Sequence, residues 1–323
     1  MAETVGRVSQ WFTPSFLRKI CSTGETLTEQ VSLDWLGEEG KRWRPILTAS
    51  IYTLLTGDRS DAIAPVTVSV ECFHKASLVH DDIEDNDDER YGLPTVHARY
   101  GIPIAINVGD WLIGEGYRLL ATSSFSPGIR ASLMGVAAQG HRDLCLGQGD
   151  ELAFCRKPFP LSLECVIQQY ARKTASAFEV AVQLGAVAAG CGGELRRVLS
   201  SFTRLLGIAY QIRDDMEDFS AVQGRTSDLL ALRPTFCLAL ISNGSDFPAL
   251  KEKLSACFSR PEDLDLRVEL MAEIRQSGIP DRALSLLNSY CTALQDLLGK
   301  VENPALGEWL GYLVDKVGLK PRG

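Results

Sequence analysis

The sequence has no excess of positive charge. Its 323 residues carry 33 Lys and Arg against 41 Asp and Glu, a net charge of −8. Nucleic-acid binders normally present a basic face, so no nucleic-acid partner is expected. Long apolar runs are also missing. The longest uncharged stretch, Val180 to Gly193, is too short to span a bilayer, and no stable membrane insertion is expected. Met1 to Ile20 contains no basic segment leading into an apolar one, so no signal peptide is read there and a cytoplasmic location is expected. The nine cysteines are scattered, odd in number and without a C-x-x-C pair. That spacing argues against a disulfide framework or a zinc site and fits reduced thiols filling a core. With 45% apolar residues, the chain is not expected to be disordered.

What is present is helical periodicity. Pro45 to Leu55 carries Ile46, Leu47, Ile51, Leu54 and Leu55 on one face, and Thr56-Gly57-Asp58 stops it. Ala64 to Asp82 follows, and Pro103 suits the first turn of a helix reaching about Leu120. Further helices are expected over 129–153, 161–190, 194–219, 233–242, 249–258, 263–277, 280–298 and 304–317. No convincing strand alternation is found. Turn signals such as Gly92-Leu93-Pro94 and Ser126-Pro127-Gly128 fall between the helices. The fold class expected is all-α, one large helical bundle over 1–323 with no marked domain boundary.

The negative charge is local. Seven of the nine residues from Asp81 to Glu89 are acidic, and without them the chain is within one charge of neutral. A charge run more often marks a solvated face. Here, however, the spacing D-D-x-x-D occurs twice, at Asp81-Asp82-Ile83-Glu84-Asp85 and Asp214-Asp215-Met216-Glu217-Asp218, each time closing an apolar helix. Positions i and i+4 share a helix face, so Asp81 stands over Asp85 and Asp214 over Asp218. Two carboxylates about 6 Å apart repel by roughly 3 kcal/mol at an effective dielectric near 20. The helix dipole adds to the penalty at a C-terminus. A cation relieves both, and oxygen ligands without His or Cys suit Mg²⁺, which shares its shell with phosphates. Packing both apolar faces inward would let the two clusters meet at one cavity mouth.

Basic residues complete the pattern. Lys41, Arg42 and Arg44 precede or open a helix, where anions bind well. Arg90 follows the first acidic cluster, and Arg172-Lys173-Thr174 interrupts a stretch rich in Ala and Val. A lone helix lysine usually snorkels, but opposite metal-bearing carboxylates it would complete a diphosphate clamp.

Taken in order, GKRWRP (40–45), HKASLVHDDIED (74–85), RYGLPTVH (90–97), VGDWL (108–112), GQ (147–148), KTA (173–175) and YQIRDDMEDF (210–219) resemble the trans-isoprenyl diphosphate synthases. The resemblance implies an all-α fold around a deep apolar cavity and a homodimer. The implied reaction joins an allylic diphosphate head-to-tail to isopentenyl diphosphate. It further implies three Mg²⁺ per active site, two on Asp81 and Asp85 and one on Asp214 with Asp218 nearby. Asp82 and Asp215 would be outer or alternative ligands. Arg90, Lys173, Thr174 and Gln211 would contact the allylic diphosphate, and Lys41, Arg44 and His74 the isopentenyl diphosphate.

Two departures stand out. Where the family usually has a second arginine after its first motif, this chain has Tyr91, and Arg42, Lys320 or Arg322 could compensate. Where the family commonly carries two lysines after its second motif, the matching positions are Arg225 and Arg233, which keep the charge in a different shape. In the resemblance, the growing product runs down the helix leading to Asp81. Ala76 and Ser77, five and four residues before it, are too small to form a floor there. Phe73, one turn deeper, is the next candidate floor, although it could equally be plain core. This suggests a product near twenty carbons, or twenty-five or longer, at about one isoprene unit per helical turn. Two other functions fit the same motifs: a Mg²⁺-dependent terpene cyclase, and a non-catalytic partner subunit of a prenyl synthase.

Overall fold

The computed structural model describes residues 2–21, 25–38, 40–90, 92–218, 230–243 and 246–318. Their regular structure is helical apart from one two-residue antiparallel ladder, Glu89–Arg90 against Leu93–Pro94. The all-α reading therefore holds. Local chemistry sets the helix limits. Pro103 sits in the first turn of Ile102–Ala121, where its missing N–H removes no helical bond. Asp263 and Asn303 cap Leu264–Gln276 and Pro304–Val317 through their side-chain oxygens. Gly57 and Asn86 take left-handed conformations, φ 72° and 55°, and end Trp43–Thr56 and Ala64–Asp85.

The chain divides into two compact units, one formed by positions 1–141 and 177–199, the other by 142–176 and 200–323. In the first unit, Ala64–Asp85 packs most extensively against Ile102–Ala121. The seam uses two glycines seven residues apart. A Cβ on Gly116 would lie 2.7 Å from the Phe73 ring, and one on Gly109 would collide with the His80 imidazole. Phe73 meets Gly116 while His80 meets Gly109, so the two helices run antiparallel. Leu47, Ile51, Val66, Val70, Val79, Val108 and Leu112 are buried in this unit. In the second unit Phe154 contacts Phe159 and Phe258 edge-on, with ring centroids 5.3 and 5.8 Å away.

Three helices near the amino terminus, Ala2–Trp11, Pro14–Ile20 and Leu27–Gly37, go beyond the sequence expectation. Pro14–Ile20 buries only Leu17, too little to produce a periodic pattern. Leu27–Gly37 opens on a Thr26/Glu29 capping box, a legible start signal. The stretch expected as one helix over 161–190 is divided in the structure. Leu163–Tyr170 leads into a single π turn, Ala171–Ala175, and then into Ser176–Ala188. At the end of that turn Ser176 Oγ donates back to the Arg172 carbonyl.

Candidate active site

The first acidic motif occupies the last turns of Ala64–Asp85. Its aspartates have different surroundings. Asp82 is 1% exposed and accepts a hydrogen bond from Arg90 Nε at 2.5 Å. Its second oxygen is buried, with no hydrogen-bond partner among the described residues. Burial raises the Asp82 pKa, and Arg90 works against that shift. Asp81 and Asp85 are only half-buried. The two-residue ladder accounts for Arg90, because pairing Arg90 with Leu93 fixes the backbone that carries it. Tyr91 lies outside the described residues, as do Lys320 and Arg322.

The basic cluster lies in the same unit. Arg44 Nη1 stands 3.3 Å from His74 Nε2, and the guanidinium lies over the Phe178 ring, 5.6 Å from its centroid. Burial, reinforced by the Arg44 charge, holds the His74 pKa well below its ordinary value, so the ring is neutral and Nε2 can accept from Arg44. Lys41 is exposed ahead of the helix. Arg42 differs. It caps the helix at φ 48° and donates to Glu71 Oε1 at 2.6 Å and to the Leu36 and Glu38 carbonyls at 2.9 and 2.6 Å. Its side chain is buried as a brace, which argues against Arg42 replacing the arginine absent at position 91.

The last turns of Gly193–Asp218, which lie in the second unit, carry the other motif. Asp215 is buried. Tyr170 donates its hydroxyl to Asp215 Oδ2, and the Phe236 N–H approaches the same oxygen at 3.1 Å. Burial and the Asp215 charge raise the Tyr170 pKa well above the ordinary value, keeping the phenol a donor. Asp214 is exposed. Gln211 links this motif to the π turn, with Thr174 Oγ1 donating to Gln211 Oε1 at 2.8 Å and Gln211 Nε2 lying 3.4 Å from Asp215 Oδ1. The Asp218 side chain and Arg225 lie outside the described residues.

Lys173 sits within the π turn, a distortion common at functional sites. Its Nζ donates to Glu151 Oε2 at 2.8 Å, and Arg233 Nη1 donates to Glu151 Oε1 at the same distance. Sequence reasoning proposed both cations but overlooked the carboxylate between them. It also overlooked Tyr170. The available signal was an acidic residue at the edge of an apolar helical stretch, Glu151-Leu152-Ala153-Phe154. Gly147 allows the close approach, because a Cβ there would lie 2.7 Å from the Lys173 backbone nitrogen.

The chain-length candidates lie on Ala64–Asp85. Ala76 is 1% exposed, and Ser77 Oγ bonds back to the His74 carbonyl at 2.9 Å. Phe73 meets Tyr117 edge-on with centroids 4.9 Å apart. Among the described residues no three His, Cys, Asp or Glu side chains form a ready metal cage. The donors at the two helix ends are carboxylates, a chemistry that fits Mg²⁺ shared with phosphate oxygens.

The polyprenyl synthetase family model matches residues 25–271. The chain belongs to the polyprenyl synthetase family. The match takes in both acidic motifs, the Arg44–His74 pair and the Glu151 cluster. A short chain isoprenyl diphosphate synthase of Methanocaldococcus jannaschii is 36% identical over 180 residues, 55% of this chain and 54% of the relative. A geranylgeranyl diphosphate synthase of Sulfolobus acidocaldarius is 30% identical over 292 residues, covering 85% of this chain and 86% of the relative. The chain spans between 54% and 60% of the length of the first three curated relatives it matches. The polyprenyl synthetase fold is shared with the solved geranylgeranyl pyrophosphate synthetase of Pyrococcus horikoshii, at TM-score 0.84, 24% identity and 99% coverage of both chains. Among the described residues no helix is long and apolar enough to cross a membrane.

Proposed function

We propose that the whole chain works as one prenyltransferase domain, condensing an allylic diphosphate with isopentenyl diphosphate to an all-trans prenyl diphosphate. The observation that carries this reading is the repeated division of labour in the two motifs. In each, the second aspartate is buried and anchored, Asp82 by Arg90 and Asp215 by Tyr170 and the Phe236 N–H. The first, Asp81 or Asp214, keeps access to solvent. Two independent helix ends with the same arrangement suit carboxylates kept for a cation and a diphosphate rather than a merely solvated surface.

In this reading Asp81 and Asp85 hold two Mg²⁺, and Asp214 with Asp218 a third. When bound, these ions supply Lewis-acid stabilisation of the charge that develops on the leaving diphosphate. Lys173, Thr174, Gln211 and Arg233 bind the allylic diphosphate. Their donors gain most when the C–O bond has broken and the oxygens carry full charge, which accelerates the chemical step. Arg90 opposes the burial penalty on the Asp82 carboxylate and orients the first motif. Lys41, Arg44 and neutral His74 bind isopentenyl diphosphate, with Arg44 supplying charge and His74 a second polar contact. The allylic cation would need apolar walls that keep water out. The released diphosphate is the natural acceptor for the final proton, so no side-chain base is required.

A product of about twenty carbons is favoured by small Ala76 and Ser77 with Phe73 about one turn deeper. Relatives named geranylgeranyl diphosphate synthases support the same length. We assign the working form to a cytoplasmic homodimer. The Arg44–His74 pair favours a synthase over a cyclase, because a cyclase needs no isopentenyl site. The test is turnover with Mg²⁺ and isopentenyl diphosphate alone, an allylic diphosphate alone, and both together. Condensation only with both substrates supports the reading. Diphosphate release from the allylic substrate alone, with no condensation, overturns it.

A further inference from the structure

Glu151 belongs to neither acidic motif, yet Lys173 and Arg233 of the second unit both donate to it. Its carboxylate is 8% exposed and fully engaged. Oε2 accepts from Lys173 Nζ at 2.8 Å and from Gln169 Nε2 at 2.9 Å, and Oε1 accepts from Arg233 Nη1 at 2.8 Å. The two cations are more open than the anion between them, with Lys173 29% and Arg233 23% exposed. An ammonium and a guanidinium brought this close would repel without a shared counter-charge. The one buried carboxylate is shared by the two cations, which hold its two oxygens from different parts of the chain. Gln169 fixes the carboxylate from behind, and its helix Leu163–Tyr170 runs directly into the π turn that carries Lys173.

We propose that Glu151 is a positioning residue that sets Lys173 and Arg233 as one two-pronged receptor for the diphosphate of the allylic substrate. The proposal rests on the prenyltransferase reading given above. Glu151 does not touch the diphosphate. It acts by holding two donors whose positions otherwise depend on long flexible side chains from distant parts of the sequence. It thereby lowers the reorganisation required as charge develops on the leaving group.

The test is a steady-state comparison of Glu151→Gln with the parent chain, repeated in a Lys173→Gln background. Glu151→Gln keeps the size and removes the charge. With the anion gone, the cluster is more positive, so the KM for the allylic diphosphate should stay the same or fall. Because the two prongs lose their common anchor, kcat should drop by about ten- to a hundredfold. In the Lys173→Gln background the same substitution should add a smaller further loss, because one of the two residues it acts through is already gone and only Arg233 is left to release. Glu151→Asp, which keeps the charge on a shorter stem, should recover part of kcat. If Glu151→Gln does not fold, Glu151→Asp carries the same comparison, with a smaller loss that again shrinks in the Lys173→Gln background. Unchanged kcat, an equal loss in both backgrounds, or a loss that only tracks the folded fraction would overturn the proposal. If the parent chain turns over but the variants match it, the Glu151 inference alone falls. If the parent shows no condensation, the underlying reading falls with it.

Discussion

Asp82 and Arg90 form a charge pair with one member buried, and their value to the protein lies in not being separated. Replacing Asp82 with Asn would remove the buried charge that Arg90 Nε donates to. Because burial already penalises the ionised carboxylate, Asp82→Asn should lower unfolding free energy by only about 1 kcal/mol, readable in urea melts. A change within experimental error would mean that the pair contributes no net stability. Lys75 offers a second residue-level prediction. It is 3% exposed and lies 4.1 Å from the Trp35 ring centroid. Burial, with Arg42 nearby, lowers its pKa from 10.5 to about 8. Between those values the unfolded chain holds the proton and the folded chain releases it, so raising the pH through this window favours the folded state. The stability difference between the parent chain and Lys75→Met should therefore shift toward the parent as pH rises from 8 to 10. A pH-independent difference would contradict the assignment.

At the scale of elements, glycines set how closely helices approach. A Cβ on Gly207 would run into Ala175 at the end of the π turn, whereas one on Gly135, in the first unit, would meet nothing within 4 Å. Gly207→Ala should destabilise the chain by about 1–3 kcal/mol through forced separation of backbones. Gly135→Ala, in a helix interior with open space, should stabilise it by about 0.5–1 kcal/mol. Equal thermal shifts for the two would show that the close contact is not limiting. The same elements show what a single sequence reveals. Helices with an apolar stripe and a clear stop, such as Trp43–Thr56 with Gly57, were legible because periodicity and capping are local properties. The acidic helix ends were legible for the same reason. The π turn was not, since Ala171–Ala175 reads like any helical segment. Nor was the role of Glu151, whose partners Gln169, Lys173 and Arg233 lie 18, 22 and 82 residues away. Arg42 was legible as a cation, but its engagement by Glu71, 29 residues on, was not.

For the whole molecule, membership in the polyprenyl synthetase family fixes the class of chemistry to be tested, and the proposed product length depends on one aromatic ring. Phe73 fills the space over Gly116 and against Tyr117. If it is also the floor of the product cavity, Phe73→Ala should lengthen the product by about one isoprene unit or more. An unchanged product length would leave it a packing residue of the helix seam. The central claim, condensation of an allylic diphosphate with isopentenyl diphosphate, is tested most directly by mass spectrometry of the products. Purified protein with Mg²⁺ and isopentenyl diphosphate would be given ten- or fifteen-carbon allylic primers in separate reactions. The account predicts a ladder of prenyl diphosphates that stops at a defined length near twenty carbons. Unextended primers, or cyclised hydrocarbons formed from a longer primer without any ladder, would contradict it.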